Sequence, residues 1–547
     1  MAKRKYFILL LVMVLTLASI STVYGGKFIG NPSDLPVGGW FEGNTPSNLD
    51  PNKPVLLFVH GLNSDYSTWT DGSNSMYNKA LSEGYQTVFI NLHPDKNMWT
   101  NGALLATKIQ EIYNEYNKKI VIVSHSKGGL DTQSALIHYN AHPYVSNVIT
   151  LGSPHYGSQL ADLAYSSWAS WLGAILGQKN DATESLQTGY MSYFRSVTDS
   201  NSNRLRNNYY TFAGTSTGSF FSALYWGGLY LSSYGPNDGA VVVNNAYLPY
   251  GNMVRIANWD HYNLTHGNTT FDWFKPYLTT TLGTLSANDI VEEVRSHSVA
   301  SKVVADTLVR GNLLSKETSK EVFFVEEGVD SITINFISNT PIKSNHIRIT
   351  SPDQNKKFDS WTVNKDQNYF KGAYHHTIEI NNPMEGEWSL EIIDNKYFSS
   401  SNAKGKNKDI TDSETAYLMT VTYQSDLALN IPMEEIIYAI SDSVLISDDT
   451  IMMKSSSSDL LSNLDIISKK MEFIPVDHHD HEIISLEVNS NEDIEMGDLV
   501  RFNNAIKNNK GILNITLDIS GFNNSSSKFQ RTVIKSIFID DEGNIYY

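Results

Sequence analysis

The pattern of apolar and polar residues divides the chain into two halves with different periodicities. From about residue 53 to residue 275, short apolar runs alternate with amphipathic stretches. The runs are rich in β-branched residues and lie at 54–60, 87–91, 119–124 and 146–151. Runs of this kind are typical of parallel strands that are buried on both faces of a sheet. The first half is therefore predicted to form a doubly wound α/β sheet covered by helices.

A helix is predicted between the second and third of these runs. Its apolar residues recur at steps of one, three and four positions and are Leu105, Ile109, Ile112, Tyr113 and Tyr116. This spacing places them on one face of a helix, which we expect to pack against the sheet. Asn101 is the predicted N-cap.

The second half has the two-residue alternation of antiparallel strands. Alternating segments occur at 331–337, 346–350, 388–393 and 417–423, between stretches rich in turn-forming residues. Residues 382–388 (NPMEGEW) resemble the corner of jelly-roll and prepeptidase C-terminal-type domains. We therefore predict two all-β sandwich domains after the α/β core. The first is jelly-roll or prepeptidase C-terminal-like and spans 286–425, and the second is immunoglobulin-like and spans 426–547.

The N-terminal residues have the features of an export signal. Lys3, Arg4 and Lys5 precede an apolar run at 7–20, which small residues follow. We predict a cleaved signal peptide at 1–25, because the run is short for the alternative, an uncleaved membrane anchor. The mature protein is then expected to be extracellular, with no transmembrane segment and with cell-surface association as a further option.

Composition narrows the classes of function. At 547 residues, the chain is long enough for two to four domains. Its 41 Lys and Arg against 58 Asp and Glu give a net charge of -17, which argues against nucleic acid or an anionic membrane as partner. A neutral or apolar substrate fits this charge better. The absence of cysteine excludes disulfides, cysteine nucleophiles and thiolate metal sites.

A candidate nucleophile follows the third apolar run. The run leads directly into residues 124–129 (SHSKGG), and a helix-like stretch comes next. A strand, a sharp turn and a helix are the context of the nucleophile elbow of α/β-hydrolases, which needs small residues two positions before and after the nucleophile. Gly128 meets this need, and Ser124 takes the place of the usual glycine. Ser126 is the predicted nucleophile, with Ser124 as the lesser candidate and His125 as a packing residue.

The first apolar run ends in a candidate oxyanion loop, residues 60–63 (HGLN). In this fold, the loop after that strand supplies one amide to the developing oxyanion, and the residue after the nucleophile supplies the other. Leu62 and Lys127 are the predicted donors. Both donate from the main chain, so the pattern leaves their side chains free to vary. The alternative is that residues 60–61 form only a strand-ending turn.

The acid and the base must follow the nucleophile, because chain order in this superfamily is nucleophile, acid, histidine. Asp238 lies in a turn (GPNDG) just before an apolar strand, where it can hold a histidine in one tautomer. His261 comes soon after the last apolar run and is the predicted base. His266 is its competitor, and Asp162 and Asp260 are weaker candidates for the acid.

These motifs occur in the order seen in secreted bacterial triacylglycerol lipases, which the chain resembles over about residues 54–278. The motifs are His60-Gly61, Ser126 in its turn, 152–158 (GSPHYGS), 209–214 (YYTFAG), Asn237-Asp238-Gly239 and Asp260-His261-Tyr262. The resemblance implies a catalytic domain at 26–285, about six parallel strands and hydrolysis of carboxylic esters. Many such lipases bind calcium through an aspartate soon after the catalytic histidine. Asn263 stands in that place, which argues against calcium, and no other cofactor is predicted.

The resemblance also assigns a lid. Residues 158–200 are apolar and rich in tryptophan, and this region forms the mobile lid of the resembled lipases. A lid that exposes apolar surface on opening would couple activity to a lipid interface. The alternative is a fixed helical cap. A second aromatic stretch at 218–235 is a candidate lining for the acyl pocket.

Two other clusters contain side chains that occur in binding sites. Residues 477–481 (DHHDH) have the side chains of metal ligands, but adjacent residues of a strand point to opposite faces, so a solvated loop is favoured over a metal site. Trp361 and Trp388 are candidates for a carbohydrate platform, although such tryptophans more often belong to a core.

The sequence thus predicts a secreted serine hydrolase that cleaves acylglycerols or similar esters. A polyester depolymerase or an amidase with the same three residues is an alternative. A surface-binding protein with an inactive hydrolase domain is another, from a different class. The C-terminal sandwiches are candidates for attachment to a cell wall, a polymer or another surface.

Overall fold

The computed structural model describes most of the chain. The described residues are 25–27, 35–169, 179–220, 222–279, 303–316, 319–358, 361–366, 372–398, 414–425, 427, 429–431, 433, 465–476, 484–489, 509–523 and 525–547. The predicted signal peptide lies outside them apart from Gly25, and so do residues 170–178 of the predicted lid, the cluster at 477–481 and the predicted domain boundary at 285.

The first half contains one eight-stranded sheet. Its strands are β1 (Gly25–Lys27), β2 (Trp40–Glu42), β3 (Val55–Val59), β4 (Thr87–Ile90), β5 (Ile120–His125), β6 (Val145–Leu151), β7 (Asn208–Gly214) and β8 (Asn252–Ala257). Their order is β1-β2-β4-β3-β5-β6-β7-β8, and β4 to β8 pair in parallel along it. Only the pairing of β2 with β4 is antiparallel in this sheet. The predicted α/β core with about six parallel strands is confirmed.

Helices cover both faces of this sheet. They are α1 (Ser67–Thr70), α2 (Met76–Ser82), α3 (Met98–Tyr116), α4 (Gly128–Gln133), α5 (Gln159–Ala164), α6 (Asp181–Ser185), α7 (Thr188–Asp199), α8 (Ala223–Ser232) and α9 (Gly267–Phe274). A π-helix (Ser134–His138) continues α4. Among the described residues, short 3-10 turns lie at His142–Tyr144, Ser202–Leu205, Val243–Ala246, Asn263–Thr265 and Lys275–Tyr277 in the first half, and at Ser344–His346 and Asn395–Tyr397 in the second. Among the described residues, no helix is both long and apolar enough to cross a membrane.

The helix predicted from the stripe of Leu105, Ile109 and Ile112 is α3, and these three side chains are buried against the sheet. The predicted N-cap, Asn101, is wrong. The helix begins one turn earlier, where the side chain of Asn97 accepts a hydrogen bond from Thr100 N (3.0 Å). Asn101 is buried inside the helix and has a different role, described below.

The second half begins with two antiparallel sheets. Their strands are β10 (Thr307–Leu313), β11 (Lys320–Val325), β12 (Val329–Ser338), β13 (Ile347–Thr350), β14 (Lys357–Phe358), β15 (Thr362–Lys365), β16 (Tyr374–Asn381), β17 (Gly386–Ile392) and β18 (Ala416–Ser425), and a small pair, β9 (Val303–Val304) with β19 (Asn430–Ile431), lies beside them. The sheets have the orders β10-β18-β12-β16-β15 and β11-β17-β13-β14 and share one apolar core. Trp361 and Trp388 are buried in it, and their indole N–H groups donate to the carbonyl oxygens of Ile347 and Met384. They are core residues.

A third antiparallel sheet ends the chain. Its strands are β20 (Asp465–Pro475), β21 (Ile484–Asn489), β22 (Gly511–Phe522), β23 (Lys528–Ile539) and β24 (Ile545–Tyr546), in the order β21-β20-β22-β23-β24. Its apolar residues pack with Ala305, Leu429, Ile431 and Met433. The predicted all-β character of the second half is confirmed, whereas the immunoglobulin-like assignment stays a prediction.

Candidate active site

Ser126 lies at the sharp turn between β5 and α4. Its backbone is left-handed (φ 52°), a conformation that residues other than glycine rarely adopt. The turn is held by a hydrogen bond from Ser126 N to Leu151 O of the neighbouring strand β6 (3.0 Å). Such strain at a strand-to-helix turn is the geometry of a nucleophile elbow, in which the serine hydroxyl stands clear of the sheet.

The residues two positions before and after Ser126 are small for different reasons. At Gly128, an added Cβ would lie 2.4 Å from His60 O and 2.8 Å from Val59 O, so no side chain fits against β3. Ser124 is fully buried, and its hydroxyl donates to Ile149 O (3.0 Å). A serine is therefore accommodated in the usual glycine position. Its hydroxyl is engaged with β6, which disfavours Ser124 as the nucleophile.

Asp238 and His261 are brought together although 23 positions separate them in the chain. His261 Nδ1 lies 2.8 Å from Asp238 Oδ2, and both side chains are buried. The other carboxylate oxygen, Oδ1, accepts hydrogen bonds from Ala240 N (3.0 Å) and Val241 N (2.7 Å). Because this carboxylate is an acceptor, Nδ1 is the protonated nitrogen, and the lone pair is left on Nε2, as a general base requires.

Backbone hydrogen bonds also hold the segments of Asp238 and His261 together. The amide of His261 donates to Asp238 O (3.0 Å), and Asp238 N donates to Val241 O (3.1 Å).

Gly152, at the end of β6, lies against the side chains of both Asp238 and His261. Its φ is +59°, and an added Cβ would come within 3.0 Å of Asp238 Oδ2 and 3.2 Å of His261 Nδ1. Glycine is required at this position because the backbone is left-handed and because a side chain would collide with its neighbours.

The competing candidates have other partners. The backbone of His266 pairs with that of Ser75 and precedes α9, away from the residues around Ser126. The carboxylate of Asp260 accepts from Tyr262 N (3.0 Å) and Asn263 N (2.7 Å). Asp162 is fully buried and is held by Thr188 and Ser536, as described below. None of these three side chains lines the cavity beside Ser126.

Asn263 does not fit a calcium site. Its side-chain N–H group donates to Asp260 Oδ2, so its amide is engaged with this neighbouring carboxylate. Across the part of the chain that the structure describes, no cluster of three or more His, Asp and Glu side chains could hold a metal ion.

The predicted oxyanion loop approaches Ser126 closely. A Cβ added at Gly61 would lie 2.8 Å from the Cβ and 3.4 Å from the Oγ of Ser126. Among the turn and loop hydrogen bonds of the described residues, none uses the amide of Leu62 or Lys127 as its donor. The amide of Lys127 lies at the N-terminal end of α4, which favours negative charge. The two predicted donors thus lie on the two segments that meet at Ser126.

Two buried histidines, His60 and His125, lie next to Ser126 and the oxyanion loop, and burial favours the neutral form of both. Burial lowers the pKa of His60 to about 4, and its Nε2 accepts a hydrogen bond from Leu92 N (2.9 Å) while its Nδ1 lies 2.9 Å from Gly61 O. Burial also lowers the pKa of His125 well below its usual value. Its ring lies 4.5 Å from the ring of His261, and its Nε2 donates to His261 O (2.9 Å). His125 packs against the predicted base, as expected.

A cavity of about 190 Å³ opens beside Ser126. Most residues around it are small or apolar, and several belong to the predicted lid. The lining includes Gly61, Leu62, His125, Ser126, Pro154, Leu160, Ala161, Ala164, Leu186, Ala240, Val241, His261 and Tyr262. An apolar cavity with few polar groups suits the acyl chain of an ester. Of the described residues in the aromatic stretch, 218–220 and 222–235, none lines this cavity.

The side chain of Lys127 has a fixed place that the sequence did not reveal. It is only 1% exposed, and its Nζ forms an ion pair with Asp131 Oδ1 (2.7 Å) one turn along α4. Burial raises the pKa of Asp131, against the effects of Lys127 and Asn101. A Lys followed four positions later by an Asp is a common pattern on exposed helices, so only burial distinguishes this pair. The expectation that the Lys127 side chain is free to vary is wrong.

Comparisons with known proteins agree with this geometry. A family model described as a PGAP1-like alpha/beta domain matches residues 96–215. The propeptide form of Bacillus licheniformis lipase BlEst2 is 37% identical, covers 93% of this chain and 99% of its own, and has a TM-score of 0.74. The mature form of that lipase is 55% identical over 45% of this chain and 99% of its own, with a TM-score of 0.43. No curated protein matches the chain.

The sheet order and the elbow define an α/β-hydrolase, and the similarity to BlEst2 makes it a hydrolase of the lipase and esterase type. Because that similarity extends over nearly the whole of both chains, this chain belongs to the family of lipase BlEst2. The predicted resemblance to bacterial lipases and esterases is confirmed.

Proposed function

We propose that the protein is a secreted serine hydrolase that cleaves carboxylic esters of neutral, apolar molecules such as acylglycerols. The observation that carries this proposal is the buried hydrogen bond between His261 Nδ1 and Asp238 Oδ2, next to a cavity that Ser126 also lines. A carboxylate that orients a histidine beside a serine is the arrangement that nucleophilic acyl transfer needs.

The reaction has two halves. Ser126 Oγ attacks the ester carbonyl carbon while His261 Nε2 accepts the hydroxyl proton, and the amides of Leu62 and Lys127 bind the oxyanion that forms. His261 then gives its proton to the leaving alcohol, which leaves an acyl-Ser126 ester. Water, deprotonated by His261, attacks this ester, and His261 returns the proton to Ser126 Oγ as the acid is released. Asp238 stabilises the imidazolium in both halves.

The substrate class follows from charge and shape. The apolar lining of the cavity favours an acyl chain, and the net charge of -17 disfavours anionic substrates. The predicted signal peptide supports secretion, which places the enzyme where lipids and polymers are encountered outside the cell. A polyester or an amide with a small acyl group fits the same cavity, so the experiment below includes both as substrates.

We also propose that the C-terminal half, residues 303–547, is a removable propeptide that covers the catalytic half. The relative BlEst2 is described in a propeptide form and a mature form. In this chain, the C-terminal half packs on residues 158–169 and 179–199, which we call the cap. The two halves approach closely at Gly189 of α7, where an added Cβ would lie 2.5 Å from the backbone of Ile537 in β23, and at Gly311 of β10, where it would lie 2.2 Å from Trp168 O.

Aromatic side chains contribute to the contact between the two halves. Tyr193 of α7 packs on Phe538 of β23, with ring centroids 4.5 Å apart. Trp168 Nε1 donates to Asp518 Oδ2 (3.1 Å), and Trp226 Nε1 of α8 donates to Thr420 Oγ1 (3.1 Å). A cap held in this way cannot open as a lid, which supports a covering role for the C-terminal half over the alternative of surface attachment.

One residue of the C-terminal half acts electrostatically on a residue of the cavity lining. Desolvation, followed by the negative charge of Asp366, raises the pKa of Tyr262, which lines the cavity next to His261. Asp366 directly follows β15 of the first C-terminal sheet.

The experiment that tests the activity is turnover of p-nitrophenyl esters of graded chain length by the full chain without its signal. Ser126→Ala and His261→Ala are each expected to abolish turnover, whereas the control His266→Ala retains it. Undiminished turnover in Ser126→Ala contradicts the proposal. A p-nitroanilide amide and a solid polyester, assayed beside the esters, distinguish an esterase from an amidase or a depolymerase.

The propeptide role is tested by limited proteolysis of the same protein. We expect cleavage between the halves to increase the rate on a long-chain triglyceride emulsion more than the rate on a soluble acetate ester. Equal rates before and after cleavage contradict a covering role. If the cleaved enzyme instead loses retention on cell wall or insoluble substrate at an unchanged rate, the C-terminal half serves for attachment.

A further inference from the structure

Three segments that are distant in the sequence meet behind the two predicted oxyanion donors. They are the oxyanion loop after β3, the residues 92–94 after β4, and the start of α4. The oxyanion loop is tied to the second segment by hydrogen bonds from Asn63 N to Pro94 O (3.0 Å) and from Leu92 N to His60 Nε2 (2.9 Å). Leu62 lies between these two anchored residues, so its amide is placed by residues 92–94.

The same residues 92–94 are joined to α4 by a buried polar side chain. Asn101 of α3 is 1% exposed, accepts a hydrogen bond from His93 N (3.1 Å) and donates to His93 O (2.9 Å). Its Nδ2 also lies 3.0 Å from Asp131 Oδ2. Through its Oδ1 and Nδ2 atoms, Asn101 thus connects residues 92–94 with α4.

Asp131 completes the connection to the second donor. Its Oδ1 is paired with Lys127 Nζ at 2.7 Å, and both side chains are at most 3% exposed. A lysine at the N-terminal end of a helix is unfavourable for the helix dipole, and burial of two charges is costly, so this pair is poorly explained by helix stability. Its effect is to anchor Lys127, the residue whose main-chain amide is the second predicted donor.

We propose that Asn101 and Asp131 are positioning residues that set the distance between the Leu62 and Lys127 amides. The proposal rests on the proposed function, because it assigns a role to these amides in acyl transfer. The hydrogen-bonded chain runs from Lys127 through Asp131, Asn101 and residues 93–94 to Asn63. Two donors on separate loops stabilise an oxyanion only if both lie within hydrogen-bond distance of the same oxygen, so a rigid connection between them has a direct catalytic value.

A purely structural network would behave differently from a positioning network. Loss of a structural network lowers the melting temperature and the fraction of active enzyme, and leaves kcat per active site unchanged. Loss of positioning lowers kcat per active site with little change in KM, because the oxyanion exists only beyond the ground state. Affinity for an alkylboronic acid, which forms a tetrahedral adduct with a serine, should fall in parallel with kcat.

The test uses Asn101→Leu, which removes the connection and leaves the Lys127–Asp131 pair intact. We expect a 10- to 100-fold lower kcat per titrated active site, a KM within about threefold, and a matching loss of boronic acid affinity. The matched control is Asn97→Ala, which removes the N-cap of the same helix and so lowers the melting temperature without touching the network. The control should keep its kcat.

A second variant keeps the test decisive if Asn101→Leu does not fold. The double substitution Lys127→Met with Asp131→Leu replaces the buried pair by apolar side chains, a change that folded proteins tolerate. It should show the same fall in kcat. An unchanged kcat in either folded variant overturns the positioning role. If Ser126→Ala still abolishes turnover, the proposed function stands while the positioning role fails; if Ser126→Ala keeps turnover, the proposed function itself fails.

Discussion

Ser536 of the C-terminal sheet donates a hydrogen bond from its Oγ to Asp162 Oδ1 of the cap (2.6 Å). The same carboxylate accepts from Thr188 N (2.9 Å) and Thr188 Oγ1 (2.7 Å) and is completely buried. Ser536 Oγ also accepts from Gly189 N (2.9 Å). A single serine therefore joins two elements of the cap, α5 and α7, to β23.

Ser536→Ala is expected to loosen the C-terminal half. Loss of a hydrogen bond to a buried carboxylate, together with an unsatisfied amide at Gly189, costs about 2–4 kcal/mol. The measurement is the rate of limited proteolysis between the halves, together with the accompanying rise in triglyceride hydrolysis. Ser525→Ala is the control, because Ser525 is exposed in a turn of the same sheet. Equal cleavage rates for the two variants would count against Ser536 as a connecting residue.

Asp238→Asn is expected to lower kcat roughly 10⁴-fold with little effect on folding. The asparagine keeps the size of the aspartate but presents its amide to His261 Nδ1, which favours the wrong tautomer of the base. Steady-state kinetics on a soluble ester and circular dichroism are the measurements. Asp260→Asn, on the adjacent turn, should keep most of the activity. A comparable loss in both variants would contradict the assignment of Asp238 as the acid.

Gly152→Ala is expected to reduce kcat by about 10²-fold or more, because an added methyl group would crowd Leu264 Cδ1 (2.7 Å), Asp238 Oδ2 (3.0 Å) and His261 Nδ1 (3.2 Å) and so disturb the Asp238–His261 pair. Gly72→Ala is the matched control. Gly72 has a similar positive φ (+78°), but a Cβ there would meet no atom within 4 Å. Both variants carry the backbone cost of a left-handed alanine, so the difference in kcat between them isolates the contact. Similar kinetics in the two would show that the contact is unimportant.

Stability should fall in acid because of His60. Its pKa in the folded protein, about 4, is below the usual 6.5, so the unfolded state binds the proton more readily. The stabilising contribution is complete above pH 6.5 and is lost as the pH falls from 6.5 towards 4. At 1.36 kcal/mol for each pKa unit, the loss is about 3 kcal/mol.

Urea unfolding of the full chain at several pH values measures this effect. His60→Gln retains an acceptor for Leu92 N and cannot titrate, so its free energy of unfolding should vary less between pH 6.5 and pH 4 than that of the parent. An identical pH dependence in both proteins would show that another group is responsible.

Many helices and strands of the α/β half are predicted by short stretches of the sequence. Continuous β-branched runs predicted β3, β4, β5 and β6, because strands buried on both faces need apolar residues at every position. Small residues around Ser126 predicted the elbow, because its steric demand is satisfied by the immediate neighbours in the chain. The stripe from Leu105 to Tyr116 predicted α3. Its start was misplaced, because Asn97 and Asn101 are equally good capping residues and lie one turn apart.

The remaining features depend on contacts between distant residues. The turn before an apolar strand favours Asp238 over Asp162 and Asp260, but only the folded chain brings it to 2.8 Å from His261. The role of Asn101 and the burial of Lys127 arise where three loops converge, and neither has a local signature. The packing of β23 on the cap joins residues more than 300 positions apart. The sequence by itself determined the elements and the residue types of the site, because periodicity and turn sterics are local. Only the tertiary structure decided which of these residues meet, because burial and hydrogen bonding between loops depend on how the whole chain packs.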